Sequence, residues 1–372
     1  MQNSNVYIQA MSACCSAGLS LDEVFDSILN AKSGIKKHKD ILIDGELCSI
    51  GKIDSTHSFD KLMIEQTQNI LDNSKLNDFH NTFLLVGTSV GGMTWAEDKF
   101  IENNGSYKNI KLDKQSMYSV SHTLNKKFDF RDTITFSTAC TSSSNAVVFA
   151  KELLEEGACE SVLVVGADSI SYTTINGFNA LGVLSKKCAT PFDIDRSGMN
   201  VAEGIGTILF STTKSNVLLA GVGCSSDAYN ITHPEPNGAG AKKAMQQALD
   251  DANITAIEIN YINAHGTGTG ANDTSEGKAI NELFSHKPYV GSTKSITGHT
   301  LGACGVIELI ISALSMKRGV VPANFNLNKK ELDSLNLPTQ NIETELNYIL
   351  SNSFAFGGNN VSIILKREVN EN

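Results

Sequence analysis

The sequence predicts an α/β protein assembled from two similar halves, and three observations lead there. Short apolar or β-branched runs alternate with glycine-rich turns and helix-length segments along the whole chain. Several of these units recur in the same order in the second half. With 372 residues, 41% of them hydrophobic and 19% charged, the chain is long enough for one large body with a sizeable core.

Taken in order, NVYIQAMSACCSAG (5–18) reads as an apolar strand ending in small residues, and NVLLAGVGCSSDAYN (216–230) echoes it. FLLVGTSVGG (83–92) parallels INYINAHGTGTG (259–270), with a strand over 259–262. TITFSTACTSSSNAVVFAKELLEEG (133–157) parallels YVGSTKSITGHTLGACGVIELIISALSMKRG (289–319). Each member of that pair joins a short strand, a small-residue turn and a long helix closed by glycine, a common helix stop. SVLVVGADS (161–169) parallels YILSNSFAFGG (348–358). The shared order implies an internal duplication about a pseudo-twofold axis. The boundary falls near 211–215 without a linker, giving an N-terminal half over 1–212 and a C-terminal half over 213–372.

Composition narrows the function. A net charge of −10 argues against general affinity for nucleic acid or an anionic membrane surface. No charged-then-apolar leader begins at Met1, so no secretory signal is expected. The most apolar helical stretch, 306–316, is short and carries Glu308, so no membrane span is expected. Eight cysteines without a CxxC pair read as reduced thiols in a cytoplasm, most of them small core fillers.

Four segments carry candidate chemistry. Cys140 falls between the strand 133–137 and a helix from Thr141 to Glu156, with Ala146, Val147, Phe149, Ala150, Leu153 and Leu154 facing inward. Thiols at helix starts meet unpaired N–H groups and the positive end of the dipole, which lowers their pKa. A packed core cysteine fits the same pattern, so partners must decide. NAHGTGTGANDTSE (263–276) places His265 after a strand and before a Gly/Thr turn. That turn lacks the lysine of a P-loop and the glycine spacing of a dinucleotide fingerprint. In STKSITGHTLGACGVIEL (292–309), Lys294 and His299 flank a glycine turn, and Glu308 on the next helix is the nearest partner for a buried lysine. Cys304 reads as core. NSFAFGGNN (352–360) ends a strand in a turn able to present N–H groups to an oxyanion while an aromatic ring shuts a pocket. A plain hairpin explains those glycines equally well.

Cys, His, Lys/His and Phe-Gly-Gly in this order resemble the β-ketoacyl-(acyl carrier protein) synthases, condensing enzymes of the thiolase superfamily. The resemblance runs through nearly the whole chain and includes GTSVGG (87–92), TACTSSS (138–144), PFDIDRSGMNVAEG (191–204), DAYNITHPEPNGAGAKKAM (227–245), HGTGTGAND (265–273), KSITGHTLGACGVIE (294–308) and NSFAFGGNN. It implies a thiolase-like fold, two duplicated halves in a five-layered αβαβα arrangement, and a dimer with itself or with a chain-length-factor subunit.

The same resemblance implies the roles. Cys140 takes an acyl group from the pantetheine thioester of an acyl carrier protein, and malonyl carrier protein then loses CO2 and attacks it. The N–H groups of Cys140 and Phe356 hold the acyl-transfer oxyanion, and His265 and His299 stabilise the enolate. Lys294, paired with Glu308, positions the histidines. Thr267 and Thr269 bind the pantetheine arm, Phe356 gates the pocket, and Asp227 falls where a second mobile loop meets that gate. Asp227 and Gly357 are counted with the substrate-binding residues. No metal or bound cofactor is implied, because phosphopantetheine arrives on the carrier. Lys186, Lys187, Lys126 and Lys127 are candidates for docking that acidic carrier. Asn145 stands where relatives often have histidine, and AMSACCSAG replaces the usual Gly-Met-Gly turn. With Thr-Ser after the nucleophile, the sequence leans towards polyketide and polyene ketosynthases, nearly level with fatty-acid elongation. A thiolase acting on coenzyme A thioesters is the alternative, but its second cysteine is missing from NSFAFGGNN. A non-catalytic subunit would have lost Cys140, and no hydrolase motif is present.

Overall fold

A computed structural model describes residues 4–43, 45–108 and 110–368. Ten strands form its central architecture. They are β1 (Tyr7–Cys15), β2 (Thr82–Gly87), β3 (Asp132–Phe136), β4 (Ser161–Asp168), β5 (Gly204–Ser211), β6 (Val217–Ser226), β7 (Tyr261–Asn263), β8 (Tyr289–Gly291), β9 (Tyr348–Phe354) and β10 (Asn359–Arg367). The N-terminal five lie in the order β1-β5-β4-β2-β3, and the C-terminal five in the order β6-β10-β9-β7-β8. Each half has antiparallel pairs on one side and two parallel pairs on the other. The two sets meet where β1 and β6 touch at Tyr7 and Leu218. The chain is therefore a duplicated thiolase-like fold. β5 and β10 are a fifth echo that the sequence does not reveal, because GIGTILFS and NNVSIILKR share only the generic character of a buried strand.

Seven of the helices among the described residues frame the site and its layers. On the outside of the first sheet lie α1 (Phe59–Asp72) and α2 (Tyr118–Phe128), and outside the second lie α5 (Ala239–Asp251) and α6 (Gly270–Leu283). Between the sheets run α3 (Ser142–Glu155) and α7 (Cys304–Arg318), while α4 (Tyr172–Ala180) follows β4. Their sequences explain these places. Outer helices carry one buried, mainly apolar stripe, as in Leu62, Met63 and Ile70 of α1, with Gln66 and Thr67 beside them. Helix α7 is buried on all sides from Cys304 to Met316. Helix α3 buries Ala146, Val147, Ala150 and Leu154, while Phe149 and Leu153 are half-buried.

The inner helices approach closely because their facing residues are small. A Cβ on Gly305 would stand 1.9 Å from Ser144 Oγ, and Ser143 Oγ accepts the Val306 N–H at 3.1 Å. The largest apolar cluster lies around this central layer, and separate clusters fill the two outer interfaces. Among the described residues, no helix is long and apolar enough to cross a membrane.

Candidate active site

Parallel strands deliver their C-terminal ends to one edge of the sheet, where loops can converge on a ligand. Cys140 leaves β3 through Ala139, which holds φ at +52°, and a 3-10 turn over Ala139–Thr141 leads into α3. His265 follows β7, where the Glu276 carboxylate accepts the N–H groups of His265 (2.8 Å) and Gly266 (2.9 Å). Lys294 begins a short helical turn after β8, and His299 follows Gly298 at φ +73°. Phe356 occupies the turn between β9 and β10, where Gly357 and Gly358 take φ of +85° and +78°, which glycine adopts without strain.

These segments are far apart in sequence and meet at one point. The Cys140 sulfur and one ring nitrogen from each of His265 and His299 lie within 4.8 Å of one another. The imidazoles stand edge to face, 5.3 Å apart. His299 Nδ1 accepts the Leu301 N–H at 3.2 Å, and Lys294 Nζ lies 3.4 Å from His265 Nδ1. With Nδ1 of each ring facing a donor, the proton of each neutral imidazole belongs on Nε2. Burial and the Lys294 ammonium push both pKa values well below 6.5, with the neighbouring His299 adding to the effect on His265. Both rings are therefore neutral donors.

Lys294 donates to the His265 carbonyl at 2.6 Å and forms an ion pair with Glu308. Burial alone would lower the lysine's pKa, but the carboxylate outweighs it and the pKa is raised. Burial pushes Glu308 up to about 7 against the pull of the ammonium. A Cys–His–His set is also a pattern that metals use. Here the Lys294 ammonium against one ring opposes any divalent cation.

The thiol corrects one expectation. Cys140 is only 8% exposed, and burial pushes its pKa up to about 11. The Lys294 ammonium and the N–H groups of Phe356 and of Cys140 itself oppose that rise without overcoming it. Desolvation wins over the helix start, so the resting sulfur is a neutral thiol.

A cavity of about 350 Å³ opens onto this cluster. Thr267 and Thr269 line it with their hydroxyls 2.8 Å apart, as do Phe356 and the unanticipated Phe178 of α4, whose rings are 6.0 Å apart. Asp227 and Gly357, expected at the substrate, do not line it. The Asp227 carboxylate instead accepts from Glu235 N (3.0 Å) and Asn360 Nδ2 (2.6 Å), and Gly357 N donates to the Ile231 carbonyl at 2.7 Å. Both residues tie the Phe-Gly-Gly turn to the 227–235 loop.

Lys186 and Lys187 follow the cavity-lining segment 181–183, with Lys186 exposed and paired with Glu46 at 2.5 Å. Lys126 and Lys127 stand in the last turn of α2, beside the start of β3, whereas Cys140 follows its other end. The structure thus separates Lys126 and Lys127 from the site. Glu276, which holds the His265–Gly266 turn, and Asp168, which accepts the Gly302 N–H, are supports that no motif pointed out. Each stands in a segment noted for its turn or its strand, without a visible partner.

A thiol, two neutral imidazole donors and a pair of backbone N–H groups beside a narrow cavity define a condensing-type site in a thiolase-like fold. Residues 43–216 match the β-ketoacyl synthase N-terminal domain, and residues 217–328 match the β-ketoacyl synthase C-terminal domain. The chain belongs to the β-ketoacyl synthase family. It is 36% identical over 255 residues to 3-oxoacyl-(acyl-carrier-protein) synthase 2 of Vibrio harveyi, covering 63% of this chain and 61% of that protein. The enzyme of the same name from Staphylococcus aureus strain COL is 29% identical over 412 residues, 98% of this chain and 99% of the relative. Among solved structures, a ketosynthase in complex with its chain length factor from Xenorhabdus doucetiae superposes with a TM-score of 0.91. It is 31% identical, and the match covers 98% of each chain.

Proposed function

We propose that the chain is an acyltransferase that performs the decarboxylative Claisen condensation of malonyl carrier protein with an acyl group held on Cys140. The observation that carries this is the meeting of the Cys140 sulfur with His265 and His299, both rings neutral with Nε2–H available. In the first stage the Cys140 sulfur bonds to the thioester carbonyl carbon, and the carrier's pantetheine sulfur leaves with the thiol proton. The N–H groups of Cys140 and Phe356 hold the tetrahedral oxyanion. In the second stage malonyl thioester loses CO2, and the electron pair of the broken C–C bond becomes an enolate. Two neutral Nε2–H donors suit that oxygen, because a donor is needed there and a base is not. The enolate carbon then attacks the acyl-Cys140 carbonyl, forming the 3-oxoacyl chain and releasing the sulfur.

Lys294, fixed by Glu308, keeps a positive charge against His265 Nδ1 and so holds the ring in the donor tautomer. Thr267 and Thr269 present hydroxyls to the pantetheine arm. The reaction calls for no resident metal or organic cofactor. The partner is an acyl carrier protein, with Lys186 and Lys187 on its docking side, and the working unit is a dimer with itself or with a chain-length-factor-like subunit. The relative solved with its chain length factor supports the latter. All eight cysteines are unpaired, which accords with a reducing cytoplasm.

Cys140→Ala tests this reading. Condensation is expected to be abolished while malonyl decarboxylation persists, because the histidines remain. Full elongation activity in that variant would overturn the assignment.

A further inference from the structure

We propose that Asn359, acting through Thr141 and Asn145, sets the spacing between the two N–H groups that hold the acyl-transfer oxyanion. This rests on the functional reading above. Those N–H groups belong to separate segments: Cys140 precedes α3, and Phe356 lies in the β9–β10 turn. Nothing in the chain's connectivity fixes their separation, so side chains must.

The turn itself is rigid. Ala355 N donates to the Asn359 carbonyl at 2.8 Å and Gly358 N to the Ala355 carbonyl at 3.1 Å, which ties Phe356 to Asn359 as one unit. One side of the unit is held by the 227–231 loop, through Asp227 N on the Gly358 carbonyl and Gly357 N on the Ile231 carbonyl. The other side faces the nucleophile, and Asn359 makes that link. Its Oδ1 lies 2.8 Å from Thr141 Oγ1 and 3.0 Å from Asn145 Nδ2. Thr141 directly follows the nucleophile, and its single hydroxyl proton is shared between Asn359 Oδ1 and the Thr138 carbonyl at 2.7 Å. Asn145 Nδ2 donates its other hydrogen to Thr138 Oγ1 at 2.8 Å. One acceptor oxygen on the turn thus grips two residues after Cys140, and those two in turn reach Thr138 before it.

The chemistry makes this grip selective. An oxyanion hole works only with both donors about 3 Å from the developing charge, and loss of one donor costs roughly 100- to 1000-fold. A shift of about 1 Å in such a constellation costs on the order of 100-fold. The enolate is held by His265 and His299, which Asn359 does not touch among the hydrogen bonds described. A loosened grip should therefore slow acyl transfer and spare decarboxylation, a split that general destabilisation would not produce. Asn359 is a positioning residue in this scheme.

The test compares Asn359→Leu and Asn145→Leu, which break the link, with Asn359→Asp, which keeps an acceptor oxygen. Acylation of Cys140 is followed by quenched-flow and intact-mass measurement with an acyl carrier thioester, and malonyl carrier decarboxylation is assayed in parallel. The two leucine variants should acylate roughly 10- to 100-fold more slowly, with decarboxylation and unfolding midpoint near wild type, and Asn359→Asp should restore acylation. Equal loss of both activities, unchanged acylation in the leucine variants, or an aspartate variant as slow as Asn359→Leu would overturn the proposal. Failure of the wild-type chain to acylate Cys140 would instead overturn the functional reading on which it rests.

Discussion

Residues 138–142 and 300–304 make the same turn in the two halves. Ala139 and Leu301 hold φ at +52° and +53°, and each opens a 3-10 turn that runs into a long inner helix. At the first turn the N–H and sulfur of Cys140 face a cavity. At the second, the Gly302 N–H is taken at 2.6 Å by the carboxylate of Asp168, which also accepts from Thr88 Oγ1 (2.6 Å), Ser89 N (2.9 Å) and Val90 N (2.8 Å). The two helix starts offer equivalent donors: the first faces the cavity, and the second is filled by the protein's own carboxylate. Ser89 joins them, because its hydroxyl donates to the Ala139 carbonyl at 2.9 Å. The closed turn thereby becomes the abutment of the open one.

The sharpest way to break this comparison is to exchange the thiols' fates. Each turn carries a cysteine, yet Cys304 is buried at the head of α7 with its Sγ 3.2 Å from the Cys140 carbonyl. Cys140→Ala should remove condensation, and Cys304→Ala should keep it within about threefold, since a weak S–H donor contributes little. Steady-state product formation separates the two.

Next in size is the closed turn. Burial pushes Asp168 up to about 6 although four donors pull it down. At pH 7 it is ionised, and Asp168→Asn should destabilise the fold by about 2–3 kcal/mol, seen in denaturant unfolding. Because folding raises this pKa, the folded state binds the proton more readily than the unfolded one. Wild-type stability therefore rises as pH falls from 7 to 5, and the deficit of Asp168→Asn should widen there. An unchanged midpoint would show that the filled turn carries no stability.

A third effect concerns titration. With the Cys140 thiol near pH 11, only its thiolate alkylates, so the rate of iodoacetamide labelling should rise roughly tenfold per pH unit between 7 and 9. Cys304, whose thiol burial and Glu308 push well above its ordinary value, should stay unlabelled in the native protein. A plateau in Cys140 labelling below pH 8 would mean that the helix start prevails after all. The smallest effect is Ala139→Gly, which relieves a left-handed backbone. It should stabilise by about 1 kcal/mol at most, and less if the freer unfolded chain offsets it.

Much of this was legible because strand ends that carry chemistry need small neighbours, and small residues leave patterns. TACTSSS, HGTGTG, KSITGH and FAFGG each announce a turn, and their order identifies the family. What stayed hidden depends on distance in sequence. Asp168 looks like any acid after an apolar strand until the fold brings Thr88 and Gly302 against it. Asn145 could be noted only as a substitution, because its partner Asn359 lies 214 residues away. The direction of the thiol's pKa was misjudged for the same reason. A helix start is visible in the chain, whereas the burial that outweighs it is assembled from segments of both halves.

The most direct test of a single open turn is intact-mass analysis with peptide mapping after incubation with acyl carrier protein, with and without a chain-length-factor-like partner. One acyl group should appear on Cys140 and on no other cysteine, and malonyl carrier protein should discharge it as a 3-oxoacyl product. An acyl group found on another residue, or one on Cys140 that malonyl carrier protein cannot remove, would contradict the account.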